Sequence, residues 1–146
     1  MKRLKSVRNI TMFAAAVAAT LTVGTAAAAR PATVGDTTWD LQTNLGTFQL
    51  VITNHGGSGA PGATTCRNIY GDLGEINNIS GWYCPLTGRI HFVHRNLGTN
   101  NPVRVFFGNV NGDALGVPVS IIGGMTVLIP EFGDLGEYNF TGTPAP

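Results

Sequence analysis

Two cysteines, Cys66 and Cys84, flank a polar stretch from Asp72 to Asn78, and they constrain this chain more than any other feature. Paired across an antiparallel ladder, they put the centre of the connecting turn at Glu75, inside that polar stretch. A bridge between them staples a β-hairpin, on whose arms successive side chains point to opposite faces. Ile69 then opposes Gly81 and Gly71 opposes Ile79 on one face, while Asn68 opposes Trp82 and Tyr70 opposes Ser80 on the other. Closing a ring of this size contributes about 3 kcal/mol in the chain-entropy account of disulfides.

A disulfide requires an oxidising compartment, and the N-terminus carries the means of reaching one. Lys2, Arg3, Lys5 and Arg8 form a basic segment, Met12 to Val23 an apolar one, and Ala26 to Ala29 supply small residues. Together these have the three-part pattern of a secretory signal peptide, of bacterial type. The apolar run is shorter than the roughly 20 residues of a membrane span. Residues 1–29 are thus expected to be removed, leaving 30–146 as a single domain, secreted or periplasmic. Removal reverses the charge. The whole chain is +1, but residues 30–146 hold five arginines, no lysine and eight carboxylates, a formal −3. No basic stripe remains to neutralise phosphates, so neither nucleic acid nor a membrane is an expected partner.

The rest of the chain consists of short apolar runs broken by Gly, Asn, Pro and Asp. Strands are expected near 37–42, 46–53, 65–71, 78–84, 89–95, 103–110, 117–129 (kinked at Gly123 and Gly124) and 136–141. Between them lie a Gly-rich loop from His55 to Gly62, a Pro85 to Gly88 turn, a loop from Asn96 to Pro102 and the hairpin signal Asn111–Gly112. The tail from Thr143 to Pro146 is expected to fray. No stretch shows a helical period. About eight short, evenly spaced strands make an all-β domain, a barrel or a sandwich.

Carrying the hairpin register across the Pro85 turn sets Tyr83 beside Ile90, Gly81 beside Phe92 and Ile79 beside His94. That face is read as interior, its glycines giving Phe92 room, and Trp82 and His91 then point outward. Phe106 and Phe107 are neighbours on one strand, so one of them joins Val93 and Val105 in an apolar exterior. Such a patch implies association.

Trp39, then Asn44, Leu45, Gly46, Thr47 and Phe48, then Ile69 to Gly71, then Gly81, Tyr83, Pro85, Thr87, Gly88, Arg89, Ile90 and Phe92 follow one another in an order that resembles secreted bacterial avidin-like barrels. Phe107, Gly108, Val110, Gly124, Met125, Tyr138 and Phe140 extend the likeness over nearly the whole of residues 30–146. The resemblance implies an eight-stranded antiparallel up-and-down β-barrel of the avidin/lipocalin (calycin) type, a ligand cup at its mouth, and a homo-oligomer, dimer or tetramer. In the first hairpin it points to Asn44 and Thr47 as polar ligands. Biotin binders line the cup with several later tryptophans. Here only Trp39 and Trp82 are present and Phe106 and Phe107 stand where a tryptophan belongs, so tight biotin binding is not expected.

On the register above, Tyr83, Phe92, His94, Arg104 and Phe106 face the lumen, and His94 with Arg104 either receive a carboxylate through charge-assisted hydrogen bonds or snorkel to the barrel mouth without a specific role. The expected function is therefore binding of a small ligand other than biotin. The alternative is a structural or protein-interaction module, like a protease-inhibitor barrel, that uses its exterior or loops. Catalysis is not expected: the chain has no Gly-x-Ser-x-Gly elbow, no cysteine outside the bridge, and no carboxylate pair in contrasting surroundings. No cofactor or metal is expected either, because His91 and His94 fall on opposite faces of a strand and Asn109 to Asp113 lacks the later glutamate of a calcium loop. Asn78 and Asn139 lie in glycosylation sequons, relevant only in a eukaryotic host.

Overall fold

The structure, a computed structural model, describes residues 29–55, 65–128 and 135–146, without the side chains at 54, 55 and 75–77. Eight strands follow in order: β1 (Thr37–Thr43), β2 (Gly46–His55), β3 (Arg67–Leu73), β4 (Glu75–Cys84), β5 (Arg89–Arg95), β6 (Pro102–Gly112), β7 (Pro118–Val127) and β8 (Gly136–Pro144). Each pairs antiparallel with its neighbour in sequence, and β8 returns to β1, closing an up-and-down barrel. Closure leaves no strand edge exposed. It also resolves the choice between barrel and sandwich.

The stapled hairpin forms in the expected register, with Ile69 opposite Gly81, Asn68 opposite Trp82 and Gly71 opposite Ile79. Cys66 and Cys84 are bridged, and both cysteines of the described chain are thereby used. The β4–β5 pairs Tyr83–Ile90, Gly81–Phe92 and Ile79–His94 form as well. Gly81 does more than make room for a ring. A Cβ there would collide with the His91 carbonyl and lie 2.5 Å from the Cα of Phe92, so its absence lets the β5 backbone itself come close.

Four local expectations are corrected. The Asp72–Asn78 stretch is not an open loop, because the chain reverses at Gly74, whose φ of 75° suits glycine. Asn78 completes this turn from the strand by accepting a hydrogen bond from Leu73 N at 2.8 Å and donating one to Leu73 O at 3.4 Å. Asn111 and Gly112 lie within β6 and not at a hairpin tip. The reversal falls at 113–117, where Asp113 accepts from the backbone N–H groups of Leu115 and Val117 at 2.8 and 2.9 Å. β7 pairs without a register shift through Gly123 and Gly124, so no bulge interrupts the strand where the kink was expected. Nor does the whole tail fray: Thr143 and Pro144 pair with β1, and Ala145 N donates to Thr38 O at 2.8 Å. The expected Gly-rich loop lies outside the described residues beyond His55, as does position 129 of the expected seventh strand.

The core lies along the barrel axis. Trp39, Leu41, Leu50, Ile52, Ile69, Tyr83, Phe92, Phe106, Val110, Ile121 and Met125 are all fully buried. Phe92 stacks on Phe106 with centroids 4.5 Å apart, and Phe106 meets Phe140 edge-on at 5.5 Å. Offset-stacked and edge-to-face aromatic pairs stabilise beyond the area they bury. This cluster makes a solid floor across mid-barrel.

Candidate functional site

The floor divides the barrel into two unlike ends. At the first, where β4 leads into β5 and β6 into β7, the segment from Ala29 to Asp36 lies against the wall. Val34 is fully buried, Pro31 O accepts from Tyr83 Oη at 2.6 Å, and Ala29 O accepts from Gly112 N at 3.0 Å. Arg30 Nη1 donates to Asn111 Oδ1 at 3.0 Å. Thr37 links this strap to the core, donating to Val34 O at 2.6 Å while accepting from Trp39 Nε1 at 2.8 Å. Burial pushes the Tyr83 phenol up to about 12, and the Arg30 charge opposes that rise in part. This end is occupied by the chain itself.

At the opposite end, reached by the β1–β2, β3–β4 and β5–β6 turns, the inner wall becomes polar. His94 on β5 and Arg104 on β6 are register partners with 8% and 7% of their surfaces exposed. The Arg104 guanidinium sits 4.8 Å from the centroid of the Phe48 ring, within cation–π range. Phe48 and Tyr138 are half-buried and pack against the core. The result is a cationic and aromatic layer above an apolar floor.

The seven candidate residues from sequence therefore separate. Tyr83, Phe92, His94, Arg104 and Phe106 all stand on the inner face, but at three depths. Tyr83 serves the strapped end, Phe92 and Phe106 form the floor, and only His94 and Arg104 stand together at the other end. Asn44 and Thr47 are exposed on the first hairpin and do not join them. Asn44 instead lines a hollow of about 300 Å³ with Gln42, Asn139 and Thr141, outside the wall beside β1 and β8. Sequence reasoning missed Phe48. Its alternation with Leu50 and Ile52 was the signal that puts it inside.

The outer wall carries a second constellation. Trp82 and His91 stack with centroids 5.6 Å apart and planes 15° from parallel, and Trp82 is 37% exposed. Phe107, opposite His91 on the β5–β6 ladder, is 50% exposed and leans the other way, its ring lying over Gly124. A hollow of about 320 Å³ opens between these aromatic groups, with Arg89 and Asn109 along one side. Among the described residues no three His, Cys, Asp or Glu side chains are grouped to hold a metal ion, and no helix is long and apolar enough to cross a membrane.

Fold and wall together define the class: a closed eight-stranded up-and-down antiparallel barrel with one disulfide, a strapped end and a polar-aromatic end. No protein-family model matches the chain, and no curated protein matches it in sequence.

Proposed function

We propose that the chain is an exported, non-catalytic binding protein that takes a small amphipathic carboxylate at the polar-aromatic end of its barrel. The observation that carries this reading is the pairing of His94 and Arg104 across one ladder, nearly buried and directly above the Phe92–Phe106 floor. A guanidinium held beside an aromatic ring suits a carboxylate, and the half-buried rings of Phe48 and Tyr138 offer apolar surface to the rest of the ligand. The filled middle of the barrel argues for a shallow site, reached from the rim and not extending down the axis. The likeness to secreted avidin-like barrels supports a ligand cup at a mouth of the barrel, while the chain's two early tryptophans argue for a ligand other than biotin.

The test uses decanoate and decanol, which share an apolar tail and differ in charge, titrated calorimetrically into the native protein and into Arg104→Met. Decanoate is expected to bind and to lose about tenfold or more in affinity in the variant, as a lost charge-assisted bond demands, while decanol binds both proteins alike. Equal decanoate binding by both proteins, or none by either, overturns the proposal. A second reading, an interaction module working through the exterior, is favoured by the exposed Trp82 and Phe107.

A further inference from the structure

The outer face of β3–β6 is organised as a track and not as a scatter of exposed side chains. Outward positions on β5 run Arg89, His91, Val93 and Arg95, and the ladder sets Trp82 and Phe107 on either side of His91 and Ser80 and Val105 on either side of Val93. Six residue steps at about 3.3 Å cover roughly 20 Å, the length of a short oligosaccharide. A hollow lies towards each end of the track. One is the space of about 320 Å³ between the Trp82–His91 stack and Phe107, bordered by Arg89 and Asn109. The other, of about 590 Å³, is bordered by Tyr70, Ser80, Arg95, Asn96 and Asn100, with Tyr70 46% exposed.

We propose that this face is a glycan-binding site for a linear oligosaccharide bearing carboxylates, such as a uronate chain, lying along β4 and β5. Each part of the track answers one part of such a ligand. Trp82, Phe107 and Tyr70 present exposed rings whose electron-rich faces attract the C–H-bearing faces of pyranoses. Asn109, Asn96 and Asn100 offer amides that both donate to and accept from hydroxyls. Arg89 and Arg95 supply planar guanidinium forks suited to carboxylates, and among the described residues lining the two hollows there is no Asp, Glu or Lys. The support is rigid. Arg95 Nη1 donates to Asn100 O at 3.2 Å, and Asn96 Oδ1 accepts from Gly98 N at 2.9 Å and Thr99 N at 3.1 Å, so the rim of the larger hollow is held before a ligand arrives.

Charge decides between this occupant and a second copy of the chain. An isologous dimer places the same patch against itself, which brings two copies of Arg89 and Arg95 together at hollows whose described lining offers no carboxylate. A polyanionic glycan pairs with those arginines instead. Nucleic acid fits poorly, since two arginines neutralise few of the closely spaced phosphates.

The test titrates hexagalacturonate and cellohexaose into the native protein and three variants, with sedimentation of the native protein and of Phe107→Ser run in parallel. Hexagalacturonate is expected to bind the native protein, with affinity falling about tenfold in Trp82→Ala. The double variant Arg89→Gln/Arg95→Gln should lose the preference for hexagalacturonate over cellohexaose, and added salt should reduce that preference in the native protein. Arg104→Met, altered inside the barrel, should leave glycan binding unchanged, which separates this site from the carboxylate site proposed above. Circular dichroism checks that each variant is folded, as substitution of partly exposed outer residues allows. Absence of binding to hexagalacturonate overturns the proposal, as does binding insensitive to Trp82→Ala. A native dimer that Phe107→Ser dissociates, in a protein inert to both sugars, assigns the face to self-association and overturns it too.

Discussion

Removing the Cys66–Cys84 bridge tests whether the hairpin is held by its staple or by its neighbours. The two residues are separated by 18 positions, and the chain-entropy account assigns about 3 kcal/mol to closing a loop of that size in the unfolded chain. Cys84 is nearly buried and Cys66 exposed, so replacing both by alanine adds only a small packing loss. With an urea m-value of about 1–3 kcal/mol/M, the midpoint of unfolding should fall by about 1–3 M, and thermal unfolding by roughly 10 °C. Tryptophan fluorescence is a suitable readout, because Trp39 is fully buried and moves into water on unfolding. The m-value should rise in the variant, since an unlinked unfolded chain exposes more surface. Reducing the native protein with a thiol should reproduce the shift without any substitution. A midpoint change below about 0.3 M in both experiments would refute the reasoning, because the β3–β4 ladder and barrel closure would then suffice without the bridge.

Two further predictions concern the interior. Phe106→Ala removes a fully buried ring in contact with both Phe92 and Phe140, so a loss of 3–5 kcal/mol is expected, measured as a urea midpoint, and a loss under about 1 kcal/mol would show that the floor can collapse around the gap. Tyr83 gives a pH signature: its phenol ionises near 10 in the unfolded chain but at about 12 in the barrel, so its contribution is intact below pH 10 and is lost as pH rises from 10 to 12, by about 2 kcal/mol. Tyr83→Phe should be less stable at neutral pH by about 1 kcal/mol, for the lost bond to Pro31, and should lack that alkaline loss; parallel stability–pH curves for both proteins would dismiss the assignment.

Much of the fold was legible because two-residue alternation and one disulfide act as independent constraints on the same strands. Fixing Cys66 against Cys84 determined the partners of Ile69, Gly81 and Ile79, and the Pro85 turn passed that register to β5 without error. The errors fell where side chains, not backbone propensity, choose the turn. Asn78 bonds back to Leu73 and tightens a hairpin that its composition alone makes look loose, and Asp113 captures two backbone amides and draws the β6–β7 reversal past an Asn–Gly pair that elsewhere would form the tip. The tail's order comes from barrel closure against β1, a long-range pairing with no local signal.

The candidate site was legible in one coordinate only. Alternation says whether a residue faces in or out, so the inward set Tyr83, Phe92, His94, Arg104 and Phe106 followed from register, but depth along the axis depends on which end the chain covers. That was decided by the strap from Ala29 to Asp36, a segment with no periodicity, whose Pro31 carbonyl and Val34 side chain engage the wall near Tyr83 and Trp39. Asn44 and Thr47, drawn from a resemblance and not from register, are exposed on the β1–β2 hairpin.

β5 and β6 carry the two proposed surfaces back to back: His94 and Arg104 inward, Arg89, His91 and Phe107 outward. A closed barrel imposes this arrangement, since no free edge remains to recruit a partner strand and recognition must be made by side chains standing on one face or the other. It also makes the surfaces separable by mutation. An outward substitution removes no packing from the Phe92–Phe106 floor, and an inward one leaves the Trp82–His91 stack standing, so the loss of hexagalacturonate binding by Trp82→Ala and of decanoate binding by Arg104→Met should each be the same, within about 0.5 kcal/mol, in the double variant as in the single ones. Strong coupling between them would mean that the wall deforms when either face is occupied. The close backbone approach at Gly81, where no Cβ fits between β4 and β5, argues for a stiff wall and for additivity.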